Sequence, residues 1–404
     1  MILTEKHIIN KNHHHYNECD KLCFLSKNLY NQSLYNIRQY YFEHKKYLNY
    51  VNNYHITKST DSYNSLPTKV SCQILKLVDQ SFKSFFSLLK SKKTKVRIPN
   101  YLDKIEGRYV VKYPKQSLGL REFKNSGKIK LSQSDIIIQT KVKKYDDLKE
   151  VRIVPRNGFY VIEVVYNRTE ETNMGDIVSS IDPGLNNLVT LTFSDGRTPL
   201  IINGRPLKSI NQFYNKKLSY YKCKLKKINE KNKSKKIIKL TNKRNNKIND
   251  YLHKSSRLLV NQLVENNVNT LVIGKNVNQK QDINNGKINN QNFVQSPIFK
   301  FLDIVSYKSK LKGINVIFQE ESYTSKASFL NLDDIPVYNK KTDNVYVFSG
   351  YRESRGLYKI KKNNIRINAD VNGSYNILRK AIPNIFINGI EGFGVIPMVL
   401  TPLR

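Results

Sequence analysis

The chain has 404 residues, 39% of them hydrophobic, enough to bury more than one core; at roughly 100–200 residues per domain, two to four units are expected. Lys and Arg number 69 against 32 Asp and Glu, and this net charge of +37 disfavours a neutral small-molecule enzyme and points to a polyanionic partner. No apolar run is long enough to span a bilayer and the N-terminus has no secretory apolar segment, so no membrane association and no secretion are expected.

Part of the lysine excess is compositional, because abundant Asn, Lys and Ile with no Trp follow from AT-rich coding. The 26 Tyr and 17 Phe add stacking surfaces for nucleic acid. Cys19, Cys23, Cys72 and Cys223 form no CxxC pairs, which fits a reducing compartment. His13, His14 and His15 beside Cys19 and Cys23 read as a polar loop followed by a helix rather than a metal site.

In chain order, residues 2–9 read as a strand and 17–46 as a helix with Leu22, Leu25, Leu29, Leu34 and Ile37 at helical spacing. Residues 50–65 read as polar and irregular. Pro67 then opens an amphipathic helix to Lys90 that carries Val70, Ile74, Val78, Phe82 and Phe85 on one face. From there the period shortens to two. Residues 128–142 and 151–166 read as strands, the latter broken by the hairpin signal Asn157-Gly158.

Beyond 176 the element order becomes diagnostic. Strands are expected at 177–182, 188–194 and 199–203, then Lys-rich helices at 207–230 and 235–266. A strand at 270–274 precedes a polar loop to Gln295, a helix capped by Ser296, a strand at 314–319 and a last helix over 367–382. Three antiparallel strands followed by helix, strand, helix, strand and helix is the order of an RNase H-like sheet. The expected fold class is therefore multidomain α/β and α+β. A small antiparallel β unit (1–12 and 101–172) carries an inserted helical recognition unit (13–100), and an RNase H-like domain occupies 173–404.

RNase H-like nucleases hold two divalent cations with carboxylates at strand ends and at a helix start. Asp182 ends the first strand of the sheet and Asp370 opens the last helix. The fourth strand ends in Gly274, which cannot ligate a cation. Glu320 and Glu321 stand just past the fifth strand instead, where a carboxylate is able to reach the same ions. Taken singly, an Asp before Pro-Gly is an ordinary turn former and Asp370 an ordinary helix cap. In the helices, Lys216, Lys217, Lys224, Lys227, Lys235, Lys236, Lys243 and Arg244 have few acids to balance them, which favours phosphate contacts. His253 reads as a packing residue.

The stretches LPTKVSCQILKLVDQSFKSFFSLLK (66–90), SIDPGLNNLVTLTFSDG (180–196), YLHKSSRLLVNQLVENNVNTLVIGKN (251–276), EESYTSKASF (320–329) and INADVNGSYNILRK (367–380) resemble the TnpB family, the OrfB-type proteins of insertion sequences. That family is related to Fanzor proteins and type V CRISPR effectors. The resemblance implies a bilobed RNA-guided DNA endonuclease of mobile elements, with a RuvC-like site, Mg²⁺ in a two-ion centre, a guide RNA from the element end and double-stranded target DNA. A prokaryotic, nucleoid-associated cytoplasmic location goes with it. Asp182 and Asp370 match the first and third RuvC acids, and Glu321 matches the relocated glutamate of some relatives, with Glu320 its neighbour. Two departures stand out. Gly274 replaces the strand-borne glutamate of many relatives, so a nuclease-dead RNA-guided repressor is an alternative, as is a transposase acting in DNA transposition. The insertion 326–366 has no cysteine where relatives carry a zinc ribbon, so no zinc is expected; its basic FSGYRESRGLYK segment, with Arg352 and Arg355, is a candidate nucleic-acid contact.

Overall fold

The computed structural model describes residues 1–91, 96–229, 234–275, 295–337 and 346–402. It divides into two compact units, Met1–Thr169 and Glu170–Arg404. The polar loop expected up to Gln295 falls largely outside the described residues, as do residues 230–233 between the two Lys-rich helices.

In the first unit, β1 (Ile2–Ile9), β2 (Val111–Pro114), β5 (Leu148–Arg156) and β6 (Phe159–Asn167) form one sheet in the order β1-β6-β5-β2. The β5–β6 hairpin turns at Asn157-Gly158, where Gly158 adopts φ +89°, a left-handed conformation that favours glycine. Four helices lie between β1 and β2 in the chain: α1 (Tyr16–His44), α2 (Tyr50–Thr57), α3 (Asp61–Asn64) and α4 (Thr68–Ser91). Leu29, Leu34 and Ile37 of α1 and Val70, Ile74, Val78 and Phe82 of α4 are fully buried in one core. Residues 50–65, expected to be irregular, form α2 and α3. The buried groups of α2 are polar: Asn53 donates to Ser33 Oγ at 2.8 Å, and Asn36 donates to Thr57 at 3.1 Å; α3 buries Tyr63 in the core. The expected strand at 128–142 is two three-residue strands, β3 (Lys128–Lys130) and β4 (Ile137–Gln139), which follow the short helix α5 (Leu120–Ser126).

The second unit is built on a six-stranded sheet. Its members are β7 (Ile177–Pro183), β8 (Asn187–Phe193), β9 (Leu200–Asn203), β10 (Val268–Gly274), β11 (Asn315–Gln319) and β15 (Met398–Leu400), in the order β11-β10-β7-β8-β9-β15. β7, β8 and β9 are antiparallel, while β10 and β11 run parallel to β7. β15, parallel to β9, was not anticipated. The helices are α6 (Arg205–Asn229), α7 (Lys235–Glu265), α8 (Ile298–Leu311) and α9 (Ala369–Ala381). Leu252, Leu259 and Leu263 of α7 and Phe301 and Val305 of α8 pack with Ile181, Leu191 and Ile273 of the sheet. Val371, Tyr375 and Ile377 of α9 form a separate cluster with Val272 and Phe329. The insertion contains a second, three-stranded sheet, β12 (Gly350–Ser354), β13 (Leu357–Ile360) and β14 (Arg366–Asn368), built around buried Tyr358, Ile360 and Ile367.

Three details correct the sequence reading. Glu171, placed in the β unit, belongs to the second: its carboxylate accepts from Lys312 at 2.8 Å and its N–H donates to Leu311 O. Ser296 does not cap α8; Pro297 holds that position without a side-chain bond. His253 is exposed rather than packed.

Candidate active site

The C-terminal edge of three parallel strands brings distant chain segments together. In register, Ile181 of β7 faces Ile273 of β10, and Gly274 faces Gln319 of β11. Asp182 and Gly274 therefore stand level at the sheet edge, and Glu320 and Glu321 leave β11 just past it.

Gly274 is small for a reason visible in its surroundings. A Cβ there would lie 2.4 Å from Glu321 Oε1 and 2.7 Å from Ile377 Cδ1. The Glu321 carboxylate thus occupies the space into which a side chain on the end of β10 would project. Across the site, a Cβ on Gly373 of α9 would lie 2.6 Å from Asp182 Oδ2, so this glycine lets the helix lie directly against the aspartate.

Asp370 is not the cap of α9. Asn368 is: its side chain accepts from the N–H groups of Asp370 and Val371 at 3.0 and 3.1 Å. The Asp370 carboxylate is thereby left for other partners, accepting from Asn187 at 2.7 Å and from Arg352 of β12 at 2.9 Å. Beneath the acids, the hydroxyls of Ser180, Thr192 and Ser374 form a buried network, with Ser180 donating to Ser374 O at 2.6 Å. Removing such groups in a dry interior leaves partners unsatisfied, so the network fixes α9 on β7 and β8.

The acids are electrostatically coupled. Burial first, then the Glu321 and Asp370 carboxylates, push the Asp182 carboxyl well above the ordinary range, and Arg352 pulls it back. A cluster of oxygens held at mutual repulsion suits a hard divalent cation, which would relieve that repulsion. The three do not form a closed cage: among the described residues no group of three His, Cys, Asp or Glu is spaced to hold an ion as it stands. The Arg352 guanidinium pairs with Asp370 at 2.9 Å. The pair is partly exposed, at 43% and 26% of the side chains, and such a contact is worth only about 0–1 kcal/mol, weak enough for an ion to displace.

Glu320 faces elsewhere. Its Oε2 accepts from Lys380 at 2.7 Å and its Oε1 from Ser322 N–H at 2.6 Å. Although burial works the other way, these contacts hold its carboxyl below the ordinary range.

The other candidate residues are on the helices α6 and α7 and on the β12–β13 turn. Lys216, Lys217, Lys224 and Lys227 of α6 and Lys235, Lys236 and Lys243 of α7 are exposed. Lys224 lies 4.8 Å over the Tyr220 ring and Lys236 5.2 Å over that of Tyr221, an aromatic–cation face missed at the sequence level. The interleaved Tyr220 and Tyr221 were the available signal. Arg244 is turned inward, donating to Asn211 at 2.8 and 2.6 Å, which disfavours it as a free phosphate ligand. Arg355 is exposed in the β12–β13 turn, where its carbonyl accepts from Arg352. In the first unit, Cys19 and Cys23 are fully buried, and burial pushes the Cys19 thiol up to about 12, so neither is poised as a metal ligand with the histidines. Among the described residues no helix is long and apolar enough to cross a membrane.

Comparison with known proteins adds two family matches. Residues 160–280 match the family OrfB_IS605, described as "Probable transposase", and residues 299–377 match the Cas12f1-like TNB domain. The first match spans β7 to β10 with Asp182, and the second spans β11 to most of α9 with Glu321, Arg352 and Asp370. No curated protein sequence matches the chain. Among solved structures, the chain is similar to the protein of a Cas12f1–sgRNA–target DNA complex, with a TM-score of 0.51 and 14% identity over 89% of this chain and 82% of that one. It is also similar to the mini-RNA-guided endonuclease CRISPR-Cas_phi3, with a TM-score of 0.47 and 12% identity over 94% and 92%. The first likeness is one of fold: a mixed α/β, multidomain architecture.

Proposed function

We propose that the chain, which resembles the TnpB proteins of the OrfB kind, is an RNA-guided DNA endonuclease with a RuvC-like site of Asp182, Glu321 and Asp370. The observation that carries this reading is the convergence of those three acids on one edge of the β10-β7-β8 sheet, each delivered by a different segment. Asp182 comes from a buried strand and Asp370 from a capped helix. Glu321 comes from a loop that fills the room left by Gly274.

In this reading the three carboxylates hold two Mg²⁺ ions. When bound, such ions activate a water and stabilise the leaving oxygen of the phosphodiester. The residues of the chain then do the following. Asn187 orients one Asp370 oxygen, and Arg352 holds the other, which an ion would have to take from it. Arg352 and the exposed Arg355 of the β12–β13 hairpin would offer their charge to the nucleic-acid backbone. The exposed lysines of α6 and α7 bind phosphates, giving affinity without sequence choice, while base pairing with a guide RNA selects the double-stranded target. The helical unit inserted in the first sheet serves recognition. A nuclease-dead repressor was motivated by Gly274 alone, and the Glu321 carboxylate lying against that glycine favours the active reading.

The test is cleavage of a guide-matched plasmid by the purified protein–RNA complex with added Mg²⁺. Ion-dependent cutting that disappears in Asp182→Ala while target binding persists is the expected result. Binding without cutting at any divalent ion concentration would favour the repressor, and joined rather than cut strands would favour a transposase.

A further inference from the structure

We propose that a polar stripe on α9, Asn372, Asn376 and Lys380, is a positioning device that holds the Glu321 loop rigid, so that a loop glutamate does the work of a strand glutamate. The inference rests on the reading of Glu321 as an ion ligand given above. The three residues are four apart and so share one face of the helix. Asn372 donates to Ala327 O at 2.8 Å and accepts from Phe329 N–H at 2.9 Å. Asn376 donates to Thr324 O at 3.0 Å and to Ala327 O at 2.7 Å. Lys380 Nζ donates to Glu320 Oε2 at 2.7 Å and to Ser322 O at 2.9 Å, gripping the residues on either side of Glu321. Thr324 Oγ1 closes the turn by donating to Glu321 O at 2.8 Å.

Burial makes these bonds strict. Asn372 and Asn376 are fully buried, Thr324 is 4% exposed and the Lys380 side chain 6%. Sites carried on loops are less precise than sites on helices and strands. Here the loop is referenced, carbonyl by carbonyl, to the helix that also presents Asp370. Two of the three acids therefore share one rigid support, and the third, Asp182, is tied to that support through Ser180 and Ser374.

Lys380→Met gives a test in which charge and position predict opposite signs. Deleting a cation near a metal site strengthens cation binding, whereas releasing the loop weakens it. The measurement is Mn²⁺ binding by electron paramagnetic resonance on the guide-loaded complex. The Asp182→Ala/Asp370→Ala complex supplies the background of ions held by RNA. The expected result is Mn²⁺ binding weakened about tenfold, the scale of lost supporting contacts around a metal, with guide binding retained. The double variant Lys380→Met/Glu321→Ala is expected to bind no more weakly than Glu321→Ala alone, because the lysine acts through that glutamate. Unchanged or tighter binding in Lys380→Met, or losses that add in the double variant, overturns the proposal. If Glu321→Ala itself leaves Mn²⁺ binding intact, the assignment of Glu321 as a ligand falls first. Should Lys380→Met fail to fold, Glu320→Gln probes the same tie from its exposed side. In high salt, where a bare charge change is screened, a persisting several-fold loss supports the device and no loss overturns it.

Discussion

Gly274→Ala is the smallest change that tests the geometry of the acid site. The added Cβ would sit 2.4 Å from Glu321 Oε1 and 2.7 Å from Ile377 Cδ1, where ordinary contact begins at 3.4 Å. Ile377 is fully buried in α9 and has little freedom to retreat, so the carboxylate must move by about 1 Å. A misplacement of that size costs on the order of 100-fold in rate, or about 2.7 kcal/mol of barrier. Overpacking adds a stability cost of about 1–3 kcal/mol. Single-turnover cleavage by the guide-loaded complex, with a thermal melt on the same sample, reads both. Gly356→Ala is the control, since nothing lies within 4 Å of its added Cβ. In a Glu321→Ala background the alanine has more room, and the extra loss of rate is expected to vanish. Full cleavage by Gly274→Ala with an unchanged melt would refute the placement of Glu321 against β10.

Asp370→Ala is expected to abolish cleavage yet leave guide and target binding within a few-fold, as measured by gel shift. Affinity for guide RNA is expected to fall steeply with salt, with a log–log slope of about 0.7–0.9 per neutralised phosphate; a flat salt profile would remove the electrostatic reading of α6 and α7. Metal analysis of the purified protein is expected to find no stoichiometric zinc, because the sequence from 326 to 366 supplies no thiolate, and one zinc per chain would redirect attention to His13, His14 and His15.

The six-stranded sheet was legible because its punctuation is strong: Asp182-Pro-Gly, Asp195-Gly196 and the switch between periods of two and 3.6 mark strand ends and helix starts. The positions of Asp182 and Asp370 followed from that order alone. What escaped has physical causes. α2 buries an amide and a hydroxyl rather than an apolar stripe, so Asn53 and Thr57 look like loop residues until Ser33 and Asn36 are placed beside them. The β12–β14 sheet is short and rests on a small cluster of Tyr358, Ile360 and Ile367, with the Tyr358 hydroxyl donating to Lys326 O at 2.8 Å. Arg244 looked like its neighbouring lysines because only the folded helix pair brings it to Asn211. The difference between Glu320 and Glu321 is likewise tertiary: Lys380, sixty residues away, takes one and Gly274 makes room for the other.

The pairing of β1 with β6 carries a consequence for how the chain is made. Ile9 pairs with Tyr160 and Ile2 with Asn167, so an early strand waits for a partner about 150 residues downstream. At roughly 5–20 residues per second of synthesis, that interval is on the order of 8–30 s. During it α1 and α4 are complete and able to pair, while β1 remains an open edge available to other chains. Glu5, Lys6 and His7 interrupt its apolar residues and make it a poor template for such pairing. Ribosome stalling after α4 has left the exit tunnel and before β6 has is therefore expected to leave the helices protected from protease and the first ten residues cleavable, with protection of the N-terminus arriving only as β6 emerges.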